Sequence, residues 1–110
     1  MIFNRAIATL ALVLAANAAF AGGVMKGDAV AGEALVGSCA ACHGADGNSL
    51  APTFPKLAGL GERYLLKQMK DIRDGRRPVA LMAGQVDNMT DQQLADIAAF
   101  YDAQSRTSGT

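Results

Sequence analysis

The residues in this sequence with the clearest chemistry are Cys39-Ala40-Ala41-Cys42-His43. Two thiols at this spacing can each form a thioether with one vinyl group of a haem, and the histidine that follows can ligate the iron from below the porphyrin plane. Other readings of the same residues fit less well. A zinc site takes about four protein ligands, and the chain has only these two cysteines and this one histidine. A thioredoxin-type redox pair needs a βαβ setting, and nothing here reads as a parallel sheet. A disulfide across so short a loop would stabilise little. The expectation is one covalently attached haem c, with Cys39 and Cys42 as attachment points and His43 as an axial ligand.

The opposite axial position needs a second donor, and the chain has five methionines. Met1 and Met25 precede the first expected helix. Met69 falls on an apolar helical stripe, where methionine usually fills core. Met89 stands just before Thr90, a helix N-cap, with Leu94 four positions into the helix, the arrangement of a hydrophobic staple. Met82 has small neighbours, Ala83 and Gly84, which let the backbone approach a porphyrin face, and it has no evident structural task. Met82 is therefore the expected ligand, ahead of Met89. Iron held by histidine and methionine is an electron-transfer centre, and the thioether raises its potential.

The N-terminus reads as an address. Arg5 is the only charge in the first 25 residues, residues 6–16 are almost wholly apolar, and Ala19-Phe20-Ala21 is a small-x-small cleavage site. The apolar run is short for a bilayer span. A signal peptide over 1–21, cut after Ala21, would leave one small domain over 22–110, delivered to the periplasm. A chain this short struggles to bury a sufficient core alone, and haem offers a large apolar plate to pack against.

Ten basic and ten acidic residues leave no net charge, which gives no support for nucleic-acid binding; membrane contact is expected only through partners. The distribution is less even. Basic residues dominate 62–77, and after Pro78 the acids Asp87, Asp91, Asp96 and Asp102 face only Arg106. Two solvated helix faces account for this; a charge dipole that orients the protein against a partner is the functional alternative.

The elements around the motif are helical. Asp28 is a good N-cap, and Val30, Ala31, Ala34 and Leu35 form an apolar stripe on a helix expected to run on into the haem motif. Gly32, awkward in a helix interior, suggests close approach of the last helix. Residues 44–61 read as loop, with Phe54 and Leu57 set to touch haem and a loop carbonyl placed to accept the free ring N–H of His43. A middle helix is predicted over 62–74, with Tyr64, Leu65, Gln68, Met69 and Ile72 on one face and Gly75 at its C-terminal end. Residues 79–88 form a second loop. Thr90 and Gln93 have capping-box spacing for a last helix, with Leu94, Ile97, Ala98 and Tyr101 buried. Residues 106–110 are expected to fray.

Taken together, residues 39–49 (CAACHGADGNS), 54–59 (FPKLAG), 61–68 (GERYLLKQ) and 94–101 (LADIAAFY) resemble class I c-type cytochromes, and most of all a single domain of cytochrome c4. The resemblance covers nearly all of 22–110. It implies an all-α fold of short helices around one haem, with the first and last helices crossing where Gly32 meets Phe100 and Tyr101. It also implies that His43 is the proximal ligand, that Pro55 supplies the carbonyl bonded to it, and that Met82 is the distal ligand. Cytochrome c4 carries two such domains and this chain has one. The segment before Met82 is also shorter than in many relatives.

The function expected is a periplasmic monohaem one-electron carrier, not itself an enzyme, serving an oxidase, reductase or dehydrogenase. The alternatives are a haem subunit of a larger oxidoreductase, such as a sulfur-compound dehydrogenase, or a haem sensor or peroxidase with a labile sixth ligand.

Overall fold

The structure is a computed structural model that describes residues 25–108. The expected signal segment at 1–21 lies outside the described residues. Among the described residues four helices occur in chain order: α1 (Ala29–Glu33), α2 (Gly37–His43), α3 (Glu62–Arg73) and α4 (Asp91–Asp102), with a 3-10 turn at Ala80–Met82 between α3 and α4. The described residues contain no strand, as the all-α expectation has it. No helix among them is long and apolar enough to cross a membrane.

The last helix is the centre of the packing. Its start is fixed by the predicted capping box. The Thr90 hydroxyl accepts from the Gln93 amide at 3.1 Å, and the Gln93 side chain accepts from the Thr90 amide at 2.9 Å. Leu94, Ile97, Ala98 and Tyr101 are buried as predicted, and Ala95 is buried with them. A buried Leu or Ile contributes about 1.5–3 kcal/mol, so this face alone is a large part of the core. Both α1 and α3 pack against it.

Gly32 marks the crossing of α1 and α4, as its position in the sequence suggested. A Cβ there would sit on the backbone carbonyl of Asp96 and press on Phe100, and one on Gly27 would meet the carbonyl of Ala95. The backbones approach too closely for any side chain between them. Phe100 belongs to this crossing, and the Tyr101 ring lies over Gly47, in the loop that follows the haem motif.

Three expectations about α1 and the termini are corrected. Of the predicted stripe, Val30, Ala31 and Ala34 face solvent, Val30 being 78% exposed, and only Leu35 packs against the core. The crossing demands glycine, so the buried side of this short helix carries almost no side chain and the apolar residues fall outside. Nor does α1 run into the motif. It stops at Ala34, whose amide bonds back to Gly32, and the motif occupies a separate helix. Finally, residues 105–107 are tied down, while residues 109–110 of the segment expected to fray lie outside the described residues. The Asn48 side chain accepts from the Thr107 amide at 2.8 Å and donates to the Ser105 carbonyl at 2.9 Å. Lys56 donates to the Thr107 carbonyl at 2.9 Å, and Arg106 to the Ala58 carbonyl.

Glu62 opens α3 and also accepts from the Gly27 amide at 3.0 Å, tying the start of α3 to the entry of α1. The end of α3 is a Schellman arrangement: the Arg76 amide bonds the Asp71 carbonyl, the Gly75 amide bonds the Ile72 carbonyl, and Gly75 has φ of 80°.

The crossing yields a direct prediction. Gly32→Ala should lower unfolding stability by about 3 kcal/mol, the upper range for overpacking, because the obstacle is backbone that cannot rotate away. Denaturant unfolding of the holoprotein measures it; a change no larger than that of an ordinary surface Gly→Ala would refute the contact.

Candidate haem site

Residues Cys39, Cys42 and His43 stand at positions i, i+3 and i+4 of α2, so they share one face of the helix. All three line a cavity of about 480 Å³, within the range of small-molecule and cofactor sites. His43 is the last residue of α2 and only 7% exposed. Gly44, at φ of 84°, turns the chain out of the helix immediately after it.

The His43 ring has a defined hydrogen bond. Nδ1 lies 2.8 Å from the carbonyl oxygen of Pro55. A carbonyl only accepts, so Nδ1 carries a proton, and in the neutral ring Nε2 keeps its lone pair. That is the tautomer and the orienting partner a metal-bound histidine needs. Phe54, next to Pro55, meets the imidazole edge-on at 6.4 Å between ring centres.

Four further segments close the cavity. From α3 come Tyr64, Leu65, Gln68, Met69 and Ile72, the face predicted from spacing; from α4 come Ile97, Ala98 and Tyr101; from the two loops come Phe54, Leu57, Met82 and Val86 among others. Met82 sits in the 3-10 turn, so the loop expected at 79–88 is more ordered than its composition suggested. Met69 also reaches the cavity wall, whereas Met89 does not line it and packs against the buried cluster of Leu65, Ile97 and Ala98.

Desolvation acts on two titratable groups of the cavity wall, Cys39 and Tyr101. Burial pushes the Cys39 thiol up, and a hydrogen bond involving Ser38 offsets this only in part. Burial also pushes Tyr101 up, so its hydroxyl remains a donor, here to the Gly44 carbonyl at 3.3 Å. The sequence marked Tyr101 as core but gave no sign of this bond to the residue after His43. Val86, almost fully buried on the cavity wall, was also missed; a lone valine in a polar loop has no periodic context.

The charge asymmetry resolves into internal pairing. Arg73 bridges Asp74 at 2.8 Å and Asp91 at 2.7 Å, joining α3 to the start of α4. Arg76 reaches Asp71 and Asp74, and Lys70 reaches Asp91. Asp96 is buried, accepting from the Asp28 amide at 2.8 Å and from Gln92 at 2.9 Å. Asp102 accepts from the Gly61 amide at 2.8 Å. Arg77 turns to the cavity wall, where it donates to Gln68. The expected picture of solvated faces therefore holds only in part: Asp91, Asp96 and Asp102 have structural partners that local sequence does not reveal.

This donor set suits haem: two thiols on one helix face, a histidine of fixed tautomer, a methionine and a largely apolar wall. A family model described as "Cytochrome c" matches residues 29–103. The chain belongs to the cytochrome c family. It is 63% identical over 83 residues to cytochrome c4 of Pseudomonas aeruginosa, a match covering 76% of this chain and 41% of that protein. It is 47% identical over 81 residues to cytochrome c-554(548) of Halomonas halodenitrificans, covering 71% of this chain and 98% of that one. Among solved structures it is similar to reduced recombinant cytochrome c4 from Pseudomonas stutzeri, with a TM-score of 0.74 at 52% identity, covering 76% of this chain and 49% of that chain. The chain thus spans about half the length of the cytochrome c4 relatives it matches. The fold is that of a class I cytochrome c, and haem c is its covalently held cofactor.

The pairing of Asp91 predicts a pH dependence. A hydrogen bond from Arg73, then the nearby Lys70 and Arg73 charges, hold Asp91 below the ordinary carboxylate range, which is near 3.9. A depressed folded pKa adds stability that is fully present above about pH 4 and is lost as pH falls through the lower folded value. Asp91→Asn should therefore flatten the acid side of the stability curve between about pH 5 and 2. Thermal unfolding against pH checks this; parallel curves for variant and parent would contradict it.

Proposed function

We propose that the chain is a periplasmic monohaem electron carrier, with the haem joined through Cys39 and Cys42 and the iron held by His43 and Met82. The observation that carries this reading is the His43 Nδ1 bond to Pro55, set in the wall of a cavity that both cysteines and Met82 also line. Haem c supplies a one-electron ferric–ferrous couple. The chain's own work is to present the Nε2 lone pair of His43, to offer the Met82 thioether, to keep water away with Leu65, Ile97 and Val86, and so to set the potential. With His43 and Met82 both holding the iron, no substrate would need to bind it, and the chain would act as a carrier and not an enzyme. Electrons then pass to and from redox partners in transient complexes.

Met82 is favoured over Met89 because Met89 has a packing role against the core and stands away from the cavity wall. Met69 reaches the wall from within α3, on the face that also buries Leu65, and is assigned to core filling.

Two substitutions test the ligands. Met82→Ala should abolish the sulfur-to-iron charge-transfer band of the ferric protein and lower the potential, since the thioether is what raises it. Met89→Ala should keep the band and cost about 1–3 kcal/mol of stability, as for a largely buried apolar side chain. An exchange of these two phenotypes would move the ligand to Met89; an intact band in both would move it to Met69.

The covalent attachment has its own test. Cys39→Ala with Cys42→Ala should release haem to acid acetone and leave little stable holoprotein, because a ligand bound only by the folded state stabilises that state. Haem that stays with the double variant through extraction would contradict attachment at these thiols.

A further inference from the structure

One residue near the site holds an unusual backbone conformation. Ser49 is the only non-glycine residue among the described ones with positive φ, at 70°. A side chain in that region is strained, and such strain persists only where the surroundings impose it. Ser49 bonds one partner of the His43–Pro55 hydrogen bond directly and the residue before the other. Its amide donates to the carbonyl of His43 itself at 2.7 Å. Its hydroxyl lies 2.6 Å from the carbonyl of Phe54 and 2.7 Å from that of Ala51, so its single proton serves these two acceptors. The hydroxyl also accepts from the Ala51 amide at 3.3 Å. Phe54 is the residue before Pro55, whose carbonyl holds His43 Nδ1. Pro55 has no amide hydrogen and cannot anchor itself through one.

We propose that Ser49 is a positioning residue for the proximal histidine: its strained backbone grips the His43 carbonyl while its hydroxyl fixes the Phe54–Pro55 segment, so that the Pro55 oxygen stays on His43 Nδ1. Its effect on the iron rests on His43 being the axial ligand. A firm hydrogen bond on Nδ1 makes the imidazole a stronger donor, which favours ferric iron. Loosening that bond should raise the potential.

The test uses Ser49→Ala and Ser49→Gly in the holoprotein. Both remove the hydroxyl. Alanine keeps the backbone strain, whereas glycine adopts φ of 70° freely, so Ser49→Gly remains folded even where Ser49→Ala is too unstable to study. Two readouts are taken: solvent exchange of the His43 Nδ1 proton by NMR in the ferrous protein, and the reduction potential. Both variants should exchange that proton about tenfold faster, the scale of one ordinary hydrogen bond, and both should have a raised potential, although Ser49→Gly is the more stable of the two. A change tied only to stability would separate the two variants. Unchanged exchange in both variants overturns the proposal. Faster exchange with an unchanged potential supports the positioning role and counts instead against His43 as the iron ligand.

Discussion

The constraint on which the structure depends is the close approach of α1 to α4. At Gly27 and Gly32 the backbone comes so near to the carbonyls of Ala95 and Asp96 that no Cβ fits. Asp96, buried at the same crossing, accepts the amide of Asp28, and Asp28 in turn caps α1. This fixes where α1 lies on α4, and with it the start of α2 three residues beyond Ala34. The far end of α4 works through side chains. Tyr101 packs on Gly47 and bonds the Gly44 carbonyl, so the helix that forms the core also holds the turn leaving the haem motif.

The proximal side of the site is then a short closed circuit. His43 ends α2, its ring donates to Pro55, its carbonyl takes the Ser49 amide, and Ser49 returns to the residue before Pro55. Outside this circuit, Asn48, Lys56 and Ala58 of the same loop hold residues 105–107. The inner bonds are partly buried, a polar network is rigid when every member is paired, and among the described residues no buried side-chain nitrogen or oxygen lacks a partner. The distal side is different in kind. Met82 comes from a single 3-10 turn, and glycine 84 with φ of 83° follows it.

Much of this was legible in the sequence because it is local. The spacing of Cys39, Cys42 and His43, the Thr90–Gln93 box, the Gly75 end of α3 and the apolar face of α3 are all set within a turn or two of helix. Gly32 was legible for the opposite reason: a glycine in a helix is unfavourable unless something demands it. What escaped was non-local or broke a local rule. Asp96 and Asp102 resemble solvent acids until their partners, Asp28 and Gly61, are brought close. Val30, Ala31 and Ala34 gave a misleading stripe because a five-residue helix is too short for periodicity to decide its buried side. The tail at 105–107 is polar, yet side chains far earlier in the chain hold it. Ser49 carries no signal at all, since serine at positive φ follows from the bonds it makes and not from its type.

The central claim is that the protein itself fills both axial positions, so that the iron exchanges electrons and does not bind substrate. Exposure of the ferrous wild-type holoprotein to carbon monoxide near neutral pH tests this most directly. The account predicts an unchanged ferrous spectrum, because Met82 as the proposed ligand would keep carbon monoxide off the iron. Ready formation of a carbon monoxide adduct would contradict it and point to a site built for a ligand or substrate.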